Sequence, residues 1–375
     1  MDIVNYFKER QLALLEEIRR LVEIESPTLD AVRTTSLAEY LAPAFADVGA
    51  TVELPKSKNG ACLLAQFGET ASDVKPIMLL GHLDTVWPVG TLQRMPFRIE
   101  DTHAHGPGIF DMKSNIVLIL EALRAIRALQ LQTRSPVKVL LTCDEESGSL
   151  SSRELLEAEA SACESVLVFE PSLPGGGAKT RRKGMAHYNL SVHGIEAHAG
   201  LEPEKGASAI LEMAQQIQTL HGLNDYANGI TVNVGVIKGG SGRNVVAGEA
   251  YGEIDVRFWT MEQGREVMYR IENLSPSLPG VQLEITGGLD RPPLERTNEV
   301  AMLYEHAHRL ASELGFELEE GAAGGGSDGN FTAALNIPTL DGLGVAGAGA
   351  HAIHEHILID DLPQRAALLV RLLTL

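Results

Sequence analysis

Through the first half of the chain, short apolar runs alternate with longer amphipathic stretches. The runs at 76–80, 137–141 and 166–169 are almost wholly apolar and are bounded by Pro or by polar residues. Runs of that length read as strands buried on both faces, as in a mostly parallel sheet. Further strand signals lie near 50–54 and 61–67. Residues 3–24 carry Ile3, Phe7, Leu14, Leu15, Ile18, Leu21 and Val22 in an amphipathic pattern stopped by Ser26-Pro27, which predicts a helix. A second helix is expected over 116–129. Helix alternating with apolar strand predicts a covered α/β sheet.

The texture changes at Pro171-Ser172-Leu173-Pro174-Gly175-Gly176-Gly177, a linker-like stretch. Beyond it come an alternating strand (186–192), a helix (207–220), strands at 230–237 and 250–258, a helix (262–274) and a strand (281–286). That order, βαββαβ, is the ferredoxin-like arrangement. Asp290-Arg291-Pro292-Pro293 closes it, and the remainder returns to helix, the Gly-rich loop 321–329, helix, strand and a final helix over 362–373. The reading is one domain built from 1–178 and 291–375, with a second inserted over 179–290 whose sheet keeps one face free. A length of 375 residues agrees, because single cores stop growing before that size.

Composition narrows the function. Hydrophobic residues make up 44% and charged residues 22%, ordinary values for a globular protein. A formal charge of −19 argues against binding the phosphate backbone of nucleic acid, which calls for clustered Lys and Arg. Cys62, Cys143 and Cys163 are odd in number and lack CxxC spacing, which argues against a disulfide framework or a thiolate zinc site. The first twenty residues are charged throughout, so no signal peptide is expected, and no run reaches the ~18 apolar residues of a membrane span. A cytoplasmic protein without membrane or nucleic-acid partners is the expectation.

The candidate chemistry stands at strand ends. Gly81-His82-Leu83-Asp84-Thr85, Asp144-Glu145-Glu146 and Phe169-Glu170-Pro171 each follow an apolar run, and Gly106-Pro107-Gly108-Ile109-Phe110-Asp111 leads into a helix. Open α/β sheets bind ligands at the carboxyl ends of their strands. A His and several carboxylates gathered there point to metal, and more acids than one ion needs point to two. His82 and Asp84 fall on one side of an extended segment, where the carboxylate can accept the second imidazole N–H. Asp111 taken alone reads better as a helix N-cap. Glu145 and Glu146 are adjacent, so they would point in different directions, as two distinct roles require.

Nine segments, GHLDTV, GPGIFDMK, CDEESGS, FEP, VHGIEAHAG, PEKG, NVV with DVRF, GGGSD and HAIHEH, follow one another in an order with a known counterpart. Over nearly its whole length the chain resembles the di-zinc carboxypeptidase and deacylase family. That family includes glutamate carboxypeptidase, acetylornithine deacetylase, succinyl-diaminopimelate desuccinylase and the aminoacylases, and the first looks most similar. The resemblance implies a mostly parallel-sheet α/β zinc-peptidase domain carrying a ferredoxin-like lid and dimerisation domain. It implies two Zn2+ per chain, with Co2+ or Mn2+ as substitutes, held by His82, Asp111, Glu146, Glu170 and His351, with Asp111 bridging. Of His351, His354 and His356, the first fits the family spacing ahead of Glu355, and the other two read as surface or neighbouring residues. Glu145 would be the general base acting on a bridging water, with Asp84 orienting His82. His198 would stabilise the oxyanion from a partner chain of a homodimer. Asn244 and Arg257 would hold a terminal carboxylate of the substrate, Gly325 and Gly326 would let the backbone approach the substrate closely, and Ser327 would help bind it.

The activity implied is amide hydrolysis that releases a C-terminal amino acid, possibly glutamate, from a peptide or N-acyl conjugate. The alternative is an N-acyl amino acid deacylase of the acetylornithine deacetylase or succinyl-diaminopimelate desuccinylase type. A non-catalytic member of the scaffold would lack a ligand or the base, and none is missing. Val246-Ala247 and Ser114-Asn115 depart from the Ile-Pro and Gly pairs usual in the family.

Overall fold

Every side chain of Ile77–His82 and of Val137–Thr142 is buried, which is why neither run alternates in hydropathy. Ile77 and Leu79 join a core with Phe7, Leu37 and Ile119 on one face, while Met78 and Leu80 pack with Leu140 and Phe331 on the other. In the computed structural model, which describes residues 2–68 and 74–374, these strands form the middle of a six-stranded sheet. Its strands are β1 (Thr51–Glu53), β2 (Leu63–Phe67), β3 (Ile77–His82), β4 (Val137–Thr142), β5 (Ser165–Val168) and the short Thr339–Leu340. They lie in the order β1-β2-β4-β3-β5 and then 339–340. The pairs β4·β3, β3·β5 and β5 with Thr339–Leu340 are parallel, whereas β1·β2 and β2·β4 are antiparallel. The sheet is therefore mixed, and its parallel part carries the strand ends of interest.

The helix expected over 3–24 is broken at Arg10 into Ile3–Glu9 and Gln11–Glu23. A helix at Ala31–Asp47, capped by the Asp30 side chain, was not foreseen, because its polar opening turn and its internal Pro43 hide the periodicity. A small antiparallel sheet, Gly347–Ala348, His356–Leu358, His103–His105 and Arg98–Glu100 in that order, was not foreseen either. Segments of two or three residues carry no readable period.

The chain divides into two compact units, one of Met1–Arg181, Arg296–Ala323 and Ser327–Leu375, the other of Arg182–Glu295 with Gly324–Gly326. These junctions fall a few residues beyond the expected ones. Pairing of Ala178–Arg182 with Glu320–Ala323 keeps the chain in the first unit as far as Arg181. The second unit is a four-stranded antiparallel sheet of β6 (Gly184–His193), β7 (Thr231–Gly239), β8 (Glu249–Phe258) and β9 (Gln282–Arg291), ordered β7-β8-β6-β9. Ala186, Tyr188, Leu190 and Val192 alternate inward against residues of the helices Ala209–His221 and Met261–Glu272, while His187, Asn189 and Glu253 are exposed on the other face. That alternation is the period-2 signal of a half-buried strand.

Candidate metal centre

Three adjoining parallel strands end side by side and deliver the charged residues. β3 ends on His82, β4 runs through Cys143-Asp144 into the turn Glu145–Ser147, and β5 leads to Glu170. Asp111 arrives from the loop after Gly108, whose φ of +70° and 2.5 Å approach to Thr85 (measured from an added Cβ) leave room for glycine only. The peptide bond Asp111–Met112 is cis.

His82 Nε2 lies 3.1 Å from Asp111 Oδ1 and 3.5 Å from Glu170 Oε1. His351 Nε2 lies 3.1 Å from Glu146 Oε2 and 3.4 Å from Asp111 Oδ2. Each carboxylate oxygen of Asp111 thus faces a different histidine. Donor atoms of His82, Asp111 and Glu146 fall within 4.8 Å of one another, as do those of His82, Glu145 and Glu170. The adjacent glutamates diverge as their neighbouring positions require, Glu145 toward His82 and Glu170, Glu146 toward His351. His354 is exposed, and His356 lies on the small sheet against His103 and His105.

The electrostatics of this cluster call for positive charge. His82 Nδ1 is 2.9 Å from the carbonyl oxygen of Asp84, so it carries a proton, and Nε2 is the nitrogen that faces the carboxylates. Burial disfavours an imidazolium at His82, yet Asp111, Asp84 and Glu170 outweigh it and raise its pKa well above the ordinary value. Hydrogen bonding to Asp111 and then to Glu146 raises His351 to about 10. Burial tends to raise Asp111, but the two imidazoles overcome it and hold that carboxyl low. Glu146 is raised by its burial, and its Oε1 is buried with no hydrogen-bond partner. An orphaned carboxylate oxygen, two imidazole nitrogens and a shared aspartate match the donor set of borderline divalent ions.

The backing residues differ from expectation. Asp84 serves His82 through its backbone carbonyl, while its carboxylate stands 3.5 Å from Nδ1. That carboxylate instead accepts the backbone N–H groups of Glu145 and Glu146, each at 3.1 Å, and so fixes the turn bearing both glutamates. Glu355, identified in the sequence only as a spacing marker, is wholly buried. It accepts the N–H groups of Gly108 at 2.9 Å, Phe110 at 2.9 Å and Asp111 at 3.0 Å, with the Trp87 indole at 2.7 Å. Burial pushes its pKa up to about 7 against the pull of those donors. Nearby Lys113, also buried, is lowered to about 7 by its own desolvation and donates to the Ile24 carbonyl. Asn115 links the Asp111 loop to the last strands, its Oδ1 accepting from Val345 N at 2.9 Å. A Cβ on Gly344 would stand 2.3 Å from Asn115 Nδ2 and 2.6 Å from the Glu170 carbonyl.

The residues assigned to substrate have other surroundings. Ser327 is fully buried, with its hydroxyl donated to Asp341 Oδ2 at 2.5 Å, so it braces the loop. In the second unit, Arg257 Nε pairs with Asp255 at 3.0 Å and Nη1 donates to the Gly324 carbonyl at 3.4 Å. Gly325 and Gly326 give their carbonyls to Arg182 Nη1 at 3.2 and 3.0 Å. Asn244 is exposed, and its carbonyl accepts from Ala199 N. His198 is also exposed, and its Nδ1 accepts from Gly200 N at 3.2 Å, which leaves Nε2 as the protonated nitrogen.

Acids and imidazoles converging at the carboxyl ends of a covered α/β sheet define a metal-dependent hydrolase. The chain belongs to the peptidase family M20/M25/M40, whose family model matches residues 78–375. It is 29% identical over 373 residues to carboxypeptidase G2 of Pseudomonas sp. (strain RS-16), covering 97% of this chain and 89% of that protein. It is 30% identical over 381 residues to a succinyl-diaminopimelate desuccinylase of Dechloromonas aromatica (strain RCB), covering 96% and 97%. Among solved structures, aminopeptidase PepT from Bacillus cereus ATCC 10987 has a TM-score of 0.82 at 24% identity, covering 97% of this chain and 98% of that one. The M20 family metallo-carboxypeptidase Sso-CP2 from Sulfolobus solfataricus has a TM-score of 0.74 at 17% identity, covering 96% and 98%. Those two likenesses are of fold. Among the described residues, no helix is long and apolar enough to cross a membrane.

Proposed function

We propose that the protein releases a C-terminal amino acid from a peptide or N-acyl conjugate with two zinc ions per chain, Co2+ or Mn2+ being substitutes. The carrying observation is the shared Asp111, flanked by His82 with Glu170 and by His351 with Glu146. In this reading those five residues hold the ions. When bound, such a pair supplies the positive charge that acidifies water and polarises an amide carbonyl.

The chain's own residues carry the proton. Glu145, held by its N–H on Asp84, accepts a proton from the attacking water and returns it to the leaving nitrogen. Asp84 keeps the glutamate turn and the His82 tautomer in place together. Arg257 and Asn244 bind the carboxylate of the departing amino acid, for which the planar guanidinium suits a two-point contact. Gly325 and Gly326 let the backbone approach that group. Ser327 supports the loop from beneath. In a homodimer, His198 Nε2 donates to the oxyanion forming at the partner's centre. We place the enzyme in the cytoplasm, consistent with its three free, buried cysteines.

A deacylase using the same centre is the second reading, favoured by the 30% identity to a desuccinylase. A panel of folyl- and peptidyl-glutamates against N-acetyl and N-succinyl amino acids, assayed with zinc, separates the two. Preferential release of the C-terminal residue is expected, and turnover confined to the N-acyl amino acids would replace the first reading with the second.

A further inference from the structure

The geometry points to a third metal site, on the small antiparallel sheet of the first unit, in which His103, His105 and His356 bind a single borderline divalent transition ion. The trio takes no part in the hydrolysis proposed above.

Register places the three imidazoles on one face. His356 is directly opposite His105, and Leu358 is opposite His103. On the other side Arg98 is opposite His105, and Glu100 is opposite His103. Ala104 and Ile357 alternate to the opposite face and are fully buried, so the histidines occupy the outward one. Two histidines two residues apart on a strand, with a third cross-strand neighbour, bring three donors together without help from distant chain.

The spacing suits an ion. Ring centres lie 4.9 Å apart for His103 and His356, 5.3 Å for His105 and His356, and 6.2 Å for His103 and His105. A ring held through one nitrogen at about 2.1 Å has its centre about 3.2 Å from the ion, so tetrahedral ligation spaces ring centres by about 5 Å. Among the described residues, the donor groups already within 4.8 Å of one another are those of His82 with Asp111 and Glu146 and with Glu145 and Glu170, so the rings of this trio would turn about their side-chain torsions to meet an ion.

The donor chemistry agrees. His356 Nδ1 donates to the His354 carbonyl at 2.8 Å, leaving the lone pair on Nε2. His105 Nδ1 is buried with no hydrogen-bond partner. Burial, and then the Arg98 cation, lower the His105 pKa and favour the neutral ring that a metal requires. Glu100 Oε2 lies 3.6 Å from His105 Nε2 and offers a fourth ligand. Its present partner is Arg98, at 2.7 Å on an exposed surface, and such a pair is weak enough to exchange. Three imidazoles and a carboxylate select Zn2+, Ni2+ and Cu2+ over Mg2+ or Ca2+, with Cu2+ bound most tightly. An ion here would fasten the strand that precedes the Asp111 loop to the strand that follows Glu355.

The test uses the untagged full chain with the first metal centre disabled by His82→Ala and His351→Ala, titrated calorimetrically with Zn2+ and followed by electron paramagnetic resonance with Cu2+. One ion per chain with imidazole nitrogen couplings is expected. His103→Gln with His356→Gln should weaken it by about tenfold or more and cut those couplings to at most a single imidazole. If that variant does not fold, the wild-type chain with its first metal centre already filled with zinc should still take up one further ion, lost in the His103→Gln/His356→Gln protein. That protein should keep wild-type hydrolysis at limiting zinc. Absence of a further ion, or binding indifferent to the two substitutions, overturns the site.

Discussion

Asp84, Glu355 and His82 are almost wholly buried and each is held by two or more partners, whereas His198 and Asn244 are exposed and Arg257 is half-buried beside Asp255. The first set lies in the unit with the parallel strands and the second in the inserted unit. The difference follows from what each must resist. Carboxylates gathered around shared donors repel one another, so their positions must be imposed by backbone N–H groups and buried neighbours. Groups that, in the proposed function, would meet a substrate from solvent need only short local supports.

Four substitutions sharpen or break this contrast. Glu145→Ala should lower kcat by roughly 10³- to 10⁴-fold while zinc per chain, measured by elemental analysis, stays unchanged. Loss of metal instead would make Glu145 a ligand and merge it with the fixed set. His198→Ala should cost about 10²- to 10³-fold in kcat with no change in metal affinity. Mixing that variant with a Glu145→Ala protein and recovering activity would show that the exposed set works across a dimer. Glu355→Gln replaces an acceptor by a donor facing backbone N–H groups, and zinc affinity should fall about 10- to 100-fold with a lower Tm. Unaltered affinity would mean that the Asp111 loop holds itself. The mildest change, Arg257→Lys, should raise KM by about tenfold with little effect on kcat, since an ammonium cannot match the two-point contact.

Legibility did not follow that boundary. His82, Glu145, Glu146 and Glu170 could be read from the sequence because each ends or follows a strand buried on both faces, and such strands advertise themselves as unbroken apolar runs. The inserted unit was legible through its alternating strands. Asp84 was legible as the partner of His82 but not as the support of the Glu145–Glu146 turn, and Glu355 was visible only as a spacing, because accepting N–H groups from residues 61 and 247 positions away leaves no local pattern. The Ser327 hydroxyl was read as substrate-facing since nothing in the sequence points it at Asp341. The three-histidine face escaped notice because its strands are three residues long.

Gly344 and Asn115 occupy one shared volume, and neither can drift alone. A side chain at 344 would strike the Glu170 backbone carbonyl as well as the Asn115 amide, so related sequences should keep glycine at 344 even where 115 has shrunk. A library randomised at both codons should recover glycine at 344 throughout, with 115 limited to residues no larger than the amide.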